Sequence, residues 1–502
     1  MMGRSIVAIL CVMLPQPVQA QIDPFVHSVL AAEATPGAAI AIVRSGRPPI
    51  IRGYGVRSLE TGVPVDAHTL FGLASTTKAF TALGLAILAD QGRVSWDVPV
   101  RQYLPAFRVS DPAVGRDATL VDLLAHRTGT ARGDLIWFAN PGAQGRELIA
   151  LLAGLPQARP FRAGFSYSNL MYAAAGEVIC VRSGQDWGSF LRHTILRPLG
   201  MTDTVVDRAL LPPHGNVAGL HAFDGEKMVA FSGSAGPHND AAAGGLYSSV
   251  SDFARWLQFW VDHGRDDDGR RLVSPNAFQA LTTIHMPIAD RSPTDDILHD
   301  KDAPYGYGLG WFIGEYRGHK VLTHSGGGEG VSTLISWMPD QGIGIAIFMN
   351  AQGTLGRLAI RNAVFDEALG KGESDWDAQF RPLLAKHRAR LNAVAASSMA
   401  DRQPQLPASR GLAAYAGLYD GGAFGKIEIV RDRQGLVATI GESRRFRLDH
   451  WTGERFRVVM DDPEFSWPLP SLISFQPEGG SAPRRVVFEA AGQSATYDRS
   501  SR

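Results

Sequence analysis

The chain has 502 residues, with 49 Lys+Arg against 49 Asp+Glu, and is 45% apolar and 20% charged. This is a globular composition, which excludes disordered, collagen-like and coiled-coil chains, and at ~150 residues per domain the length implies two or three units. A formal net charge of zero and a pI near 7.3 leave no basic field for nucleic acid and no polybasic membrane tether.

Residues 1–20 read as a removable signal peptide: Arg4 supplies the charge, Ser5–Leu14 the apolar stretch and Val18-Gln19-Ala20 the small-residue cleavage point. The mature chain is then expected to begin at Gln21 and to be exported, periplasmic or secreted. The apolar run is far short of the ~20 residues that a membrane anchor needs, and no stable membrane insertion is expected after cleavage. Once Cys11 is removed, Cys180 stands alone, so no intramolecular disulfide is available.

Ala38–Val43 and Ile50–Tyr54 read as a β-hairpin around a Pro-rich turn, Ser45–Pro49. Ser75–Gln91 is apolar on nearly every side and stops at Gly92, which predicts a buried helix. Asn169–Arg182 is a second helix, closed by Ser183-Gly184. Ser249-x-x-Asp252 opens a third, in which Phe253, Trp256, Leu257, Trp260 and Val261 follow a helical stripe that packs into a core. Val321–Thr323, Val331–Met338 and Ile343–Met349 are strands separated by glycine-rich turns, and Leu355–Leu369 is a helix stopped by Gly370. Strands at both ends and buried helices between them predict an α+β domain, the first hairpin sharing a sheet with the last strands. Lys371–Pro407 is a charged, Ala-rich helical connector. From Tyr415 onward six short strands, Ile427–Val430, Leu436–Ile440, Arg444–Leu448, Phe456–Met460, Leu472–Phe475 and Arg485–Phe488, predict a small antiparallel β-barrel or sandwich.

Of seven lysines, Lys78 alone has a serine three positions earlier, in Ser75-Thr-Thr-Lys78. On a helix the two project from one face, so the amine can accept the hydroxyl proton, and burying an ammonium favours the neutral base. Tyr167-Ser168-Asn169 precedes the second helix and can turn a phenol and an amide into one cleft. The phenol, held partly as phenolate by nearby cations, would shuttle protons, and Asn169 would bond a substrate amide from both its ends. Thr323-His324-Ser325-Gly326-Gly327-Gly328 follows a strand with enough glycine for substrate backbone to approach and for N–H groups to meet an oxyanion. Taken singly, each element also has a structural reading: an N-cap serine with a snorkelling lysine, a common turn, a surface histidine.

Together, in this order, the three elements resemble the serine β-lactamase and penicillin-binding-protein fold, in its class C β-lactamase, D-aminopeptidase and esterase branch. Leu123-Leu-Ala-His-Arg-Thr-Gly129 and Ala243-Gly-Gly-Leu-Tyr-Ser-Ser249 also resemble that branch, and the tail from Tyr415 resembles its lipocalin-like β-domain. The implied organisation is signal peptide 1–20, an α+β β-lactamase-like serine hydrolase domain 21–370 (an antiparallel sheet flanked by helices plus an all-α region), helical linker 371–410 and small β-barrel 411–502. The resemblance implies Ser75 as acylated nucleophile, Lys78 and Tyr167 sharing proton transfer, and Asn169 holding a substrate amide. The N–H groups of Ser75 and Gly327 would form the oxyanion hole, with Gly326 and His324 lining the substrate site.

His324 stands where many β-lactamases and carboxypeptidases carry lysine, a fixed cation for a substrate carboxylate. The expectation is therefore an esterase or peptidase on small acyl or D-amino-acid-type substrates with weak β-lactam turnover at most, and an efficiency toward anionic substrates that rises as His324 protonates. No cofactor or metal is expected, the partner is a small-molecule or peptide substrate, and oligomeric state stays open. The alternatives are a penicillin-receptor-like protein that acylates without turnover, a true class C-like β-lactamase, or a binding β-domain using surface aromatics such as Trp451 and Trp467.

Overall fold

The computed structural model describes residues 18–500 apart from 141, 213–214, 224–226, 232–240, 329, 372–374, 401, 442–443, 460–470, 477–481 and 491–492. Most of the expected signal segment, and Trp467, lie outside the described residues. The first helix, α1 (Val18–Glu33), leads into β1 (Gly37–Arg44) and β2 (Arg47–Gly55). A 3₁₀ turn, Ala74–Thr77, runs directly into α2 (Lys78–Asp90), and α3 (Asn169–Ser183) and α4 (Val250–Val261) are the next long helices. Then come β3 (Met286–Pro287), β4 (Gly306–Tyr307), β5 (Phe312–Tyr316), β6 (His319–Gly328), β7 (Val331–Met338) and β8 (Ile343–Met349). They complete an antiparallel sheet of order β2-β1-β8-β7-β6-β5-β4-β3, so the first hairpin and the last strands do share one sheet. Helices α5 (Gly356–Ala368) and α6 (Trp376–Ala400) follow.

The strand period explains the layering. In β1, Ala39, Ala41 and Val43 enter a core with α2 and α4, while Ala38, Ile40 and Ile42 face a second core built from α1, α5 and α6. Helix α4 delivers the expected stripe, capped by the Ser249 hydroxyl, which accepts from the Asp252 N–H at 3.2 Å. Trp256 on α4 stacks on Phe80 of α2 with ring centroids 3.7 Å apart.

Two sequence expectations need correction here, and one helix is not legible in the sequence. The first turn is only Ser45-Gly46. Pro48 and Pro49 lie inside β2, at the register shift between the Ile42–Ile50 and Arg44–Arg47 pairs, where neither is paired with a residue of β1 and the missing N–H groups break no regular ladder. The run His324–Gly328 is not a turn; it continues β6, with Gly326 opposite Thr333 and Gly327 opposite Ser332. Helix α1 carries a weak sequence signal, because Pro24 lies within its short apolar stripe of Ile22, Val26, Val29 and Leu30.

The tail is a closed eight-stranded barrel: β9 (Gly417–Asp420), β10 (Lys426–Arg431), β11 (Leu436–Ile440), β12 (Arg444–Thr452), β13 (Arg455–Val459), β14 (Leu472–Gln476), β15 (Arg485–Ala490) and β16 (Gln493–Arg499). The two strands missing from the expected six, β9 and β16, are the pair that closes it, with Tyr419 opposite Arg499. β16 escaped notice because only Ala495 and Tyr497 face inward, between polar neighbours. Trp451 is 2% exposed, so it is core and not a surface aromatic. No helix among the described residues is long and apolar enough to cross a membrane.

Candidate active site

Ser75 occupies the 3₁₀ turn, and the α-helix starts only at Lys78. In a 3₁₀ turn residues i and i+3 eclipse, which brings the Lys78 Nζ to 3.1 Å from the Ser75 Oγ. Lys78 is fully buried, and its Nζ also donates to the Asn169 Oδ1 at 2.6 Å and to the Ala243 carbonyl at 2.8 Å. A Lys78 amine that has given up one proton could keep its bonds to Asn169 and Ala243 and turn its lone pair to the serine hydroxyl. Ala74, immediately before the nucleophile candidate, has φ of +47°, a left-handed conformation that a non-glycine residue adopts only when its surroundings impose it. The imposed contacts are visible: the Leu73 N–H donates to the Leu246 carbonyl, and the Leu73 carbonyl accepts from the Thr333 hydroxyl.

Tyr167 completes the cluster, its hydroxyl 2.9 Å from the Ser75 Oγ. Burial pushes this phenol well above its ordinary value, outweighing the lowering effects of the Ser75 bond and of Arg132. The expected partial phenolate is therefore corrected: Tyr167 rests as a neutral phenol. Asn169 is 8% exposed and both its ends are engaged, Oδ1 by Lys78 and Nδ2 by the Asp134 carboxylate at 3.1 Å. A substrate amide would have to displace one of these partners.

The turn bearing Tyr167 is splinted by His126, a buried residue held at φ +55°. Its carbonyl accepts from the Ser166 N–H at 2.8 Å, its Nδ1 accepts from the Ser168 N–H at 3.1 Å, and its ring lies 4.2 Å from that of Tyr167. Burial, with Lys78, His324 and Arg132 nearby, holds this imidazole far below its ordinary pKa, so the neutral form that accepts at Nδ1 is the stable one. The Asp122 carboxylate, on the short helix Leu120–Leu124, takes hydrogen bonds from Arg127 and Arg162 and so ties the segment before Tyr167 to that helix. His126 lies in Leu123–Gly129, a segment to which the sequence alone assigns no role. Its only signal was a polar residue in an apolar run.

His324 departs from expectation. It is 1% exposed, with Nε2 2.8 Å from the Tyr307 hydroxyl and Nδ1 2.8 Å from the Ser325 carbonyl. Burial first, and Lys78 second, lower its pKa to about 3, so it is neutral at ordinary pH and points into the protein rather than at a substrate. The two glycines also separate. A Cβ on Gly326 would meet the Thr333 Oγ1 at 2.2 Å and the Leu73 carbonyl oxygen at 2.4 Å, so this glycine lets β6 lie against the nucleophile turn. Gly327 is exposed, with open space where a Cβ would stand, whereas Gly326 is buried. Among the described residues no cluster of His, Cys, Asp or Glu is arranged to hold a metal. The half-buried Cys180 thiol is pushed up to about 11 by burial, which suits packing and not nucleophilic chemistry.

With this geometry in view, comparison with known proteins gives consistent findings. A family model described as Beta-lactamase matches residues 21–369, and one described as a domain of unknown function (DUF3471) matches residues 401–494. The unguisins hydrolase ungD of Aspergillus violaceofuscus is 29% identical over 502 residues, covering 94% of this chain and 88% of its own. The octameric penicillin-binding protein homologue from Pyrococcus abyssi superposes with a TM-score of 0.61 at 20% identity, covering 95% of this chain and all of that one. The D-amino acid amidase from Ochrobactrum anthropi SV3 superposes at 0.58 and 21% identity, covering 70% of this chain and 99% of its own. At such identities the two structures speak for the fold.

Proposed function

Because the chain belongs to the Beta-lactamase family and is a serine hydrolase, we propose that Ser75 is its acylated nucleophile and that it acts as an esterase or peptidase/amidase. The substrates are small acyl or D-amino-acid-type compounds, including non-standard peptides. The observation that carries this reading is one hydroxyl within 2.9 Å of a phenol and 3.1 Å of a buried amine.

The chemistry follows from these groups. The Lys78 amine takes the proton of the Ser75 hydroxyl as Oγ bonds to the substrate carbonyl carbon, and the N–H groups of Ser75 and Gly327 meet the oxyanion. As the carbonyl–leaving-group bond breaks, the proton passes from Lys78 through the Tyr167 hydroxyl to the departing oxygen or nitrogen. Water then cleaves the acyl-serine by the reverse proton path, restoring the neutral amine. Tyr167 rests neutral, so it relays the proton and Lys78 is the base. His324, buried and neutral, offers no cation to a substrate carboxylate, which argues against efficient turnover of carboxylate-bearing lactams. The name of the fungal relative favours a hydrolase over a receptor that stops at the acyl-enzyme.

The test is a side-by-side screen of p-nitrophenyl esters, D-aminoacyl anilides and a chromogenic cephalosporin with wild type and Ser75→Ala. Turnover of an ester or D-aminoacyl anilide that vanishes in Ser75→Ala supports the reading; a cephalosporin as the best substrate, or labelling without turnover, overturns it. The same proposal reads residues 1–20 as an export signal, and N-terminal sequencing of exported protein should begin at Gln21.

A further inference from the structure

The C-terminal barrel, a module without assigned function, reaches the active site through one short segment. Leu135 and Ala139, 6% and 2% exposed, lie on the short helix Leu135–Ala139 of the hydrolase domain, yet they pack in the same apolar cluster as Tyr415, Tyr419 and Tyr497 of the barrel. Polar contacts pin both ends of this segment. The Asp134 N–H donates to the Gln493 Oε1 at 3.0 Å, and the Asn140 Nδ2 donates to the Ala423 carbonyl at 3.0 Å. The fit is close on the adjoining turn as well, where a Cβ on Gly154 would come within 2.4 Å of the Ala423 Cβ.

Asp134 is the residue at which this seat meets the chemistry. Its carboxylate accepts from the Asn169 Nδ2 and from the Arg132 Nε, and the other end of the Asn169 amide accepts from the Lys78 Nζ. A carboxylate only accepts hydrogen bonds, whereas an amide that rotates by half a turn exchanges its donor and acceptor ends. Asp134 therefore decides which end of Asn169 faces Lys78. With the amide reversed, Lys78 would meet N–H groups and lose the acceptor that aims its amine at Ser75.

We infer that the C-terminal barrel is a positioning element of the active site: by seating residues 134–140 it fixes the Asp134 carboxylate, which orients Asn169 and through it the Lys78 amine. Gln493 and Asp134 are positioning residues, since neither touches the reacting hydroxyl. The barrel interior, filled by Tyr415, Tyr419, Phe456, Phe475, Phe488 and Tyr497, leaves the rim as the place where this module acts.

The inference rests on Ser75 being the nucleophile, and the experiment separates the two. Full-length wild type, Gln493→Ala, Gln493→Glu and Asp134→Ala are compared for the rate of Ser75 labelling by a fluorophosphonate, for kcat and KM on a p-nitrophenyl ester, and for amide hydrogen exchange. Gln493→Ala should slow labelling and kcat by about fivefold with KM little changed, as befits one lost hydrogen bond acting on the chemical step. Gln493→Glu keeps the acceptor oxygen and should restore most of the rate. Asp134→Ala should cost about 10- to 100-fold, the range for a charge-assisted bond. Exchange in residues 131–140 should quicken in Gln493→Ala while the barrel strands stay protected. Should Asp134→Ala fail to fold, the two Gln493 variants decide. Wild-type labelling rates in Gln493→Ala, or unchanged exchange in 131–140, overturn the inference and leave the nucleophile standing. Failure of wild type to label at Ser75 removes both.

Discussion

The main sheet and the C-terminal barrel each hold eight strands, and they use them in opposite ways. The sheet buries both faces of strands such as β1 and β8, so a polar cluster of Lys78, His126 and His324 sits in a region with almost no solvent. The barrel buries one face only; Glu428, Arg447 and Arg457 alternate outward while the inside closes on itself. Even its buried hydroxyls stay internal, Tyr419 donating to the Tyr415 carbonyl and Tyr497 to the Phe424 carbonyl. Double burial costs desolvation of every polar group, and that is what makes the sheet side reactive. A packed single-faced barrel acts on chemistry only through its rim.

The largest expected effects test that division. Lys78→Ala should lower kcat by about 10⁴-fold and Tyr167→Phe by about 10²-fold, the span of general acid–base contributions, with little change in thermal midpoint. Phe475→Ala in the barrel should behave in reverse: about 3–5 kcal/mol lost in denaturant unfolding, with the kcat of the remaining folded protein within about tenfold of wild type. Steady-state kinetics beside unfolding curves would show the pattern. A Phe475→Ala protein that stays stable but loses its chemistry would break the comparison.

A finer contrast lies within β6. Gly326→Ala drives a methyl into the Leu73 carbonyl and the Thr333 hydroxyl, so it should cost about 1–3 kcal/mol and also disturb the Ser75 turn. Gly327→Ala meets open space and should keep the wild-type thermal midpoint. Differential scanning of the two variants, with labelling of Ser75, checks both statements. Equal midpoints would mean that β6 does not brace the nucleophile turn.

Side chains in short runs were legible, and groups supplied by folding were not. Ser75 with Lys78 and Tyr167 with Asn169 lie three and two positions apart, so local geometry alone suggested a shared face. The Ala243 and His126 carbonyls left no mark, because every residue has a carbonyl. Asp134 reads as an ordinary polar loop residue until Asn169 and Gln493, 359 residues away from it, fold against it. The identity of His324 was plain, but its burial depends on Tyr307 and Phe312, whose packing no local pattern announces. For the fold, runs apolar on both faces revealed the sheet, whereas β16, with two inward residues among polar ones, concealed the barrel's closure.

That burial yields the smallest expected effect on activity and a definite one on stability. With His324 lowered to about 3, no charge appears at this position between pH 5 and 8, so the ratio of kcat/KM for an anionic ester to that for a neutral one should be flat across that interval. A ratio that climbs toward pH 5 would restore the sequence expectation of a protonating histidine. Stability should respond even though selectivity does not. His324 is folded as a neutral ring and unfolds to an ordinary imidazole near 6.5, so below that value the unfolded chain binds the extra proton. Its contribution is fully present above about pH 6.5 and is lost as pH falls toward 3, at up to about 1.4 kcal/mol per pH unit. His126, also held low by burial, adds a slope of the same sign. Denaturant unfolding at pH 7 and pH 4.5 should therefore show a steeper acid loss in wild type than in His324→Gln, whose amide can still accept from Tyr307 without titrating. Equal losses in the two proteins would mean that the ring takes up its proton inside the fold.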